Sequence, residues 1–326
     1  MNSSRILERL FKPPINLFDE IGFSTLLDHL SIAVADIGAR GKITTDLSPM
    51  ARSVIAFGFE PDPEEFKRLQ TTVKSSPWKE TIYLPVAVGS EEKEVTLNVY
   101  SEEGCSSLLN ARKDMGASFS RSDYYDLART VNVPMSTLDS VVQKENLPFP
   151  DHIKVDVQGG ELEVFKGASD CLKHALAVRT EVSFFPQYQD QPLFADIDSF
   201  LRNQGFVTMG FLESHAWRRT TKKKWPRRTK GSFPYSRGQL IHGDVLYLRW
   251  PEDLPEETSK EKDKRLKLGL IASAFQFIDH AKATLTTASM LDYGKDSFDT
   301  DLEKALSNLS RRLGRYPKRI RDFIFP

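Results

Sequence analysis

The sequence predicts an α/β fold: a mostly parallel sheet with helices on both faces, followed by a small C-terminal helical appendage. Three observations lead there. Apolar runs at Ile32 to Ile37, Val54 to Phe59 and Ile82 to Val88 are separated by polar, partly helical stretches, the alternation expected of a sheet covered on both sides. Residues 153–168 read as a strand, a Gly159-Gly160 turn and a helix opened by Glu161, whose charge sits at the positive end of the helix dipole. The 326 residues are enough for one large α/β domain with additional elements.

The elements follow in order. Ile6, Leu7 and Leu10, then Leu26, Leu27 and Leu30, predict two short helices broken by Pro13-Pro14. With Arg5, Arg9 and Lys12 the first has the make-up of a helix that can touch a membrane surface, although packing on the domain is the favoured reading. After the first three strands, Val95 to Tyr100 and Val131 to Met135 predict a hairpin-like insertion ahead of a fourth parallel strand, Ile153 to Val157. Ala175 to Val182 and Phe206 to Phe211 continue the sheet, and Asp244 to Trp250 completes it. Between them, Ala195 to Asn203 reads as a helix with Ile197, Phe200 and Leu201 on one face, stopped by Gly205. Glu252 to Lys264 is charged and polar, as in a linker or an exposed helix start. Leu266 to Leu285 and Leu302 to Leu313 have helical spacing. The boundaries predicted are 1–30 for an N-terminal helical segment, 31–250 for the main domain and 251–326 for linker and helical extension.

Composition narrows the function classes. Lys plus Arg and Asp plus Glu both number 45, so overall charge calls for neither nucleic acid nor an anionic membrane. Two cysteines, Cys105 and Cys171, are too few for a disulfide framework, and a reducing, cytoplasmic setting is the expectation. No signal-peptide pattern and no apolar run of about 18 residues is present. The six histidines show no ligand spacing, so no metal site is assigned.

Asp156, near the end of the fourth strand, and Gln158 in the turn after it lie at the sheet edge where α/β folds bind ligands. Other segments share that character: Asp36-Ile-Gly-Ala-Arg-Gly41, Gly58-Phe-Glu-Pro-Asp62, Pro85-Val-Ala-Val-Gly89, Gly104-Cys-Ser-Ser-Leu108, Ser136-Thr-Leu-Asp139 and Gly243-Asp-Val-Leu-Tyr247. In this order, and with Ile153-Lys-Val-Asp-Val-Gln-Gly-Gly-Glu161 as an Ile-Lys-x-Asp-x-x-Gly-x-Glu strand-turn-helix, the chain resembles the FkbM-type methyltransferase family over roughly residues 31–250. The resemblance implies a Rossmann-like class I fold with seven strands, S-adenosylmethionine as cofactor, and O-methylation of a glycan or small-molecule hydroxyl. One departure stands out. The common family motif places its last glycine where this chain has Lys42, which puts the contacts of Gly41 in question.

The site expectations follow from the residues and the resemblance together. Asp36 replaces the glycine that a nicotinamide fingerprint needs and suits a cationic ligand, with Gly38 letting that ligand approach the backbone. Glu60, 24 residues after Asp36, is placed to accept from a ribose diol. Gly41, Val88, Ser106, Asp156 and Gln158 complete the expected cofactor contacts, with Glu161 shaping the boundary to the acceptor. Asp156 and Glu181 are the expected catalytic carboxylates, Asp244 a weaker third; carboxylates can also hold a divalent metal, which nothing in the sequence establishes. Arg218 to Lys230 holds eight basic residues beside Trp217 and Trp225, either a solvated loop or a grip on an anionic acceptor; nucleic acid is disfavoured because the cluster is local in a neutral chain. Two rival readings remain, a nicotinamide-dependent oxidoreductase, which Asp36 disfavours, and a non-catalytic cofactor-binding or scaffold protein.

Overall fold

The computed structural model describes residues 16–219, 237–255, 257–285 and 298–314. Ten strands are found among them: β1 Ile32–Ile37, β2 Val54–Phe59, β3 Glu80–Leu84, β4 Ala87–Val88, β5 Lys93–Tyr100, β6 Leu127–Ser136, β7 His152–Val155, β8 Ala177–Ser183, β9 Phe206–Trp217 and β10 Gln239–Arg249. The helices are α1 Ile21–His29, α2 Pro63–Thr72, α3 Lys113–Ser118, α4 Leu138–Lys144, α5 Glu161–Lys166, α6 Ser169–His174, α7 Phe194–Asn203, α8 Ser259–Ala274, α9 Ile278–Leu285 and α10 Phe298–Gly314.

Seven strands form one sheet in the order β3-β2-β1-β7-β8-β10-β9. The pairs β3–β2, β2–β1, β1–β7 and β7–β8 are parallel, and β10 runs antiparallel to both neighbours. This is the Rossmann-like sheet expected from the sequence. The chain leaves β1 in one direction to β2 and β3, and returns to the other side of β1 with β7. The carboxyl ends of β1 and β7 therefore flank the topological switch point, where such sheets bind ligands.

Strand alternation sends side chains to two cores. Ile32 and Val34 face one with α1, α8, α9 and α10, which contribute Leu26, Leu266, Ile271, Ala281, Leu302 and Leu306. Ala33, Ala35, Ile37, Ile153 and Val155 face the other, covered by α4, α5, α6 and α7 through Leu138, Phe165, Leu172 and Leu201. The C-terminal helices thus complete one face of the sheet. At α1, a Cβ on Gly22 would lie 2.6 Å from the Leu302 Cα, so glycine lets α10 cross at close range.

Three expectations need correction. Ile82 to Val88 is two strands, because Pro85 cannot donate to a ladder and the chain turns there; β3 stays in the large sheet while β4 joins a second sheet ordered β4-β6-β5. The fourth parallel strand ends at Val155, before Asp156 and Val157, since the backbone turns towards Gln158 at φ +57. Strand β9 extends past Phe211 to Trp217, paired with β10 through a stretch of mostly exposed side chains. The expected pre-domain helix at Ile6 to Leu10 lies outside the described residues.

Candidate active site

The loop after β1 is fixed by backbone geometry. Gly38 has φ +85, and a Cβ there would lie 1.9 Å from the Asp156 carbonyl oxygen, so only glycine brings the ends of β1 and β7 this close. Gly38 and Ala39 both donate to the Phe59 carbonyl, which ties the loop to β2. Gly41 has φ +83 and donates to Glu65 Oε1 at 2.7 Å. Between these ends lies a cavity of about 1020 Å³, at the top of the range of about 300–1,000 Å³ usual for small-molecule sites. Gly38, Gly41, Glu60, Val88, Ser106, Asp156 and Gln158 all line it, with Val95, Leu97 and Met135 of the small sheet closing it from above.

Asp36 is elsewhere. It is 1 % exposed and does not line the cavity; its Oδ2 accepts from the Thr44 N–H at 2.6 Å, and Lys154 Nζ lies 3.2 Å from its Oδ1. The cation it meets is a side chain of its own protein. Burial raises the Asp36 carboxyl above its ordinary value against the opposing pull of Lys154. Lys154 also lies 3.6 Å from Asp156 Oδ2, donates to the Gly38 carbonyl at 3.3 Å, and lines the cavity. Sequence reasoning missed this lysine. Alternation along β7 was the available signal, because it puts Lys154 and Asp156 on one side of the strand.

Glu60 follows β2 at the cavity wall. Its Oε1 accepts from the Asp62 N–H at 2.8 Å, and burial pushes its carboxyl up to about 7. Asp62, which caps α2 through Glu64 N, is held by Arg129 at 2.8 Å. Ser106 Oγ donates to the Glu103 carbonyl, and Val88 is buried beside the cavity.

The turn after β7 concentrates acids. Glu161 accepts from the N–H groups of Val157 and Gly159, and burial together with the Glu181 charge pushes it up to about 8. Glu181 is buried and absent from the cavity wall: Oε2 accepts from Gln158 Nε2 at 2.9 Å and Oε1 lies 2.7 Å from His242 Nδ1. Burial first, then Asp156 and Asp244, raise its carboxyl well above the ordinary range. Oxygens of Asp156, Glu161 and Glu181 lie within 4.8 Å of one another, and protein donors engage all three side chains. Asp244 is taken by Arg179, which also holds Asp46. Of the expected pair, only Asp156 faces the cavity, with a side chain 36 % exposed. His242, one of the six histidines without ligand spacing, joins this cluster, and no spacing signal could have shown it.

Of the basic run, residues 220–230 lie outside the described residues. Trp217 packs against Phe119 at 5.9 Å with Arg121 over its ring at 4.5 Å, and Arg218 is buried. No helix among the described residues is long and apolar enough to cross a membrane.

A family model for the methyltransferase FkbM domain matches residues 36–208. Among curated proteins none matches the sequence. Solved structures similar to the chain include an FkbM methyltransferase from Methylobacillus flagellatus KT, with 13% identity and a TM-score of 0.38 over 67% of this chain and 43% of that one. The chain therefore spans less than half the length of that protein. It is also similar to magnesium protoporphyrin IX methyltransferase from Synechocystis PCC 6803 with bound SAM, at 11% identity and TM-score 0.33 over 76% and 92% of the two chains. M. capricolum TrmK in complex with S-adenosyl-homocysteine gives 8% identity and TM-score 0.31 over 89% and 94%.

Proposed function

The chain belongs to the FkbM methyltransferase family, and from that premise we propose that it transfers a methyl group from S-adenosylmethionine to a hydroxyl of a glycan or small-molecule acceptor. The observation that carries this reading is the cavity at the β1–β7 switch point, where glycine backbone, a buried carboxylate and an open carboxylate surround one space. These residues fit the cofactor. Gly38 lines the cavity with backbone held close to β7, and Glu60 offers a desolvated acceptor for a ribose diol. Apolar Val88, Leu97 and Met135 offer a surface for a flat base. The nicotinamide alternative has Asp36 in place of the first glycine of its fingerprint.

The cofactor would supply an activated methyl on a sulfonium. The protein's part is to align the acceptor and receive its proton. Asp156 is the carboxylate exposed at the cavity, with Lys154 Nζ 3.6 Å from its Oδ2, and it is the group proposed to receive the proton. Glu181, buried, supports Asp156 through the Gln158 amide, which donates to both carboxylates. Positioning dominates the rate, and the base adds about 10²–10⁴-fold.

Incubation with methyl-labelled S-adenosylmethionine and a panel of glycans and small hydroxyl compounds tests the reading. Transfer to one class, reduced about 10²–10⁴-fold in Asp156→Asn while S-adenosylhomocysteine still binds, is the expected result. Cofactor binding without transfer to any member favours the scaffold reading.

A further inference from the structure

We propose that His242 is a positioning residue for methyl transfer: acting through Glu181 and Gln158, it orients the Asp156 carboxylate at the cavity. The inference rests on reading that cavity as the methyl-transfer site. Gln158 sits at φ +57, a left-handed backbone that non-glycine residues adopt only where the surroundings over-determine it. They do so here. Its Nε2 donates to Asp156 Oδ1 at 2.8 Å and to Glu181 Oε2 at 2.9 Å, its Oε1 accepts from the Tyr188 hydroxyl at 3.2 Å, and its carbonyl accepts from Ser107 Oγ at 2.7 Å. His242 Nδ1, 2.7 Å from the other oxygen of Glu181, ends the chain on β10.

Donor arithmetic gives the chain a direction. The two hydrogens on Gln158 Nε2 need both acids as acceptors. The single Tyr188 hydrogen is divided between Gln158 Oε1 and the Cys105 carbonyl, 2.7 Å away. A proton on Glu181 Oε2 would reverse the amide. Oε1 would accept from Glu181, Nε2 would donate to the Tyr188 oxygen, the Tyr188 hydrogen would go to Cys105, and Asp156 would lose its donor. A hydrogen on His242 Nδ1, donated to Oε1, opposes this, because it bonds the ionised carboxylate more strongly than the neutral acid.

The charges around the pair make that hold necessary. Asp156 beyond β7, Asp244 on β10 and Glu161 on α5 all favour a proton on Glu181, opposed by Lys154 on β7. Arg179, on the same strand as Glu181, is occupied by Asp46 and Asp244. On the far side, His215 of β9 stacks on His242 at 4.5 Å, with Glu213 3.4 Å from its Nε2.

Nitrogen NMR on the full chain reads both ends of the relay. The Gln158 side-chain amide is assigned by its loss in Gln158→Glu. In the wild type, His242 is expected to carry a proton on Nδ1 throughout pH 6–8, with the Gln158 amide signal constant. His242→Phe, which keeps a ring to stack on His215, should move that signal, and His242→Asn, whose amide nitrogen can take the place of Nδ1, should restore it. A wild-type His242 lacking the Nδ1 proton overturns the proposal without need of any variant. So does a folded His242→Phe whose Gln158 signal stays at the wild-type position. Calorimetry with S-adenosylhomocysteine separates the two readings: a Gln158 response in a protein that does not bind it upholds the relay and removes its methyl-transfer setting.

Discussion

Lys154 stands between Asp36 and Asp156 and carries the charge of both. Removing it would strand a carboxylate that is 1 % exposed, so Lys154→Met is expected to destabilise the fold by about 3–5 kcal/mol, read from urea unfolding midpoints. Asp36 was legible as a charge at a strand end and illegible as half of an internal pair, because its partner lies 118 positions on in another strand. Glu60 shows the opposite case. Its place at the end of β2 was readable, and the burial that shifts its titration was not. With the carboxyl raised to about 7, the native state favours the proton: this contribution to stability is full below the ordinary value near 4.5 and is lost as pH rises through about 7. A diol that donates to the carboxylate prefers the ionised form, so affinity for S-adenosylhomocysteine should rise from pH 5.5 and level off above about 7. Glu60→Gln should flatten that dependence and weaken binding by about 1–3 kcal/mol, as calorimetry at several pH values would show. Equal pH dependence in both proteins would remove Glu60 from the site.

At the scale of elements, strands β1 and β2 were legible to the residue because they are apolar runs buried on both sides. Strand β9 was half-legible. Past Phe211 its side chains are mostly exposed, and only its ladder with β10 makes it a strand. The hairpin between β5 and β6 was readable as an insertion, but its union with β4 as a second sheet over the cavity depends on the turn at Pro85. Helix packing was the least legible. Nothing in the spacing of α1 and α10 shows that Gly22 meets Leu302 at backbone range. Gly22→Val is therefore expected to push the two helices apart at a cost of about 1–3 kcal/mol, with a lower melting temperature and unchanged S-adenosylhomocysteine affinity. A variant as stable as the wild type would show that α10 can yield at this point.

For the molecule as a whole, the N-terminal and C-terminal helices share one face of the sheet and the cavity opens at the carboxyl ends of its strands. A ligand bound there bridges the loops after β1, β2 and β7, so occupancy should stabilise the native chain by about 2.7 kcal/mol at a ligand concentration one hundred times Kd. The space is proposed as an S-adenosylmethionine site. Calorimetric titration of the chain with S-adenosylhomocysteine and, separately, with NAD tests it most directly. Saturable one-to-one binding of S-adenosylhomocysteine with no heat from NAD is the expected result. Saturable binding of NAD with none of S-adenosylhomocysteine would contradict it.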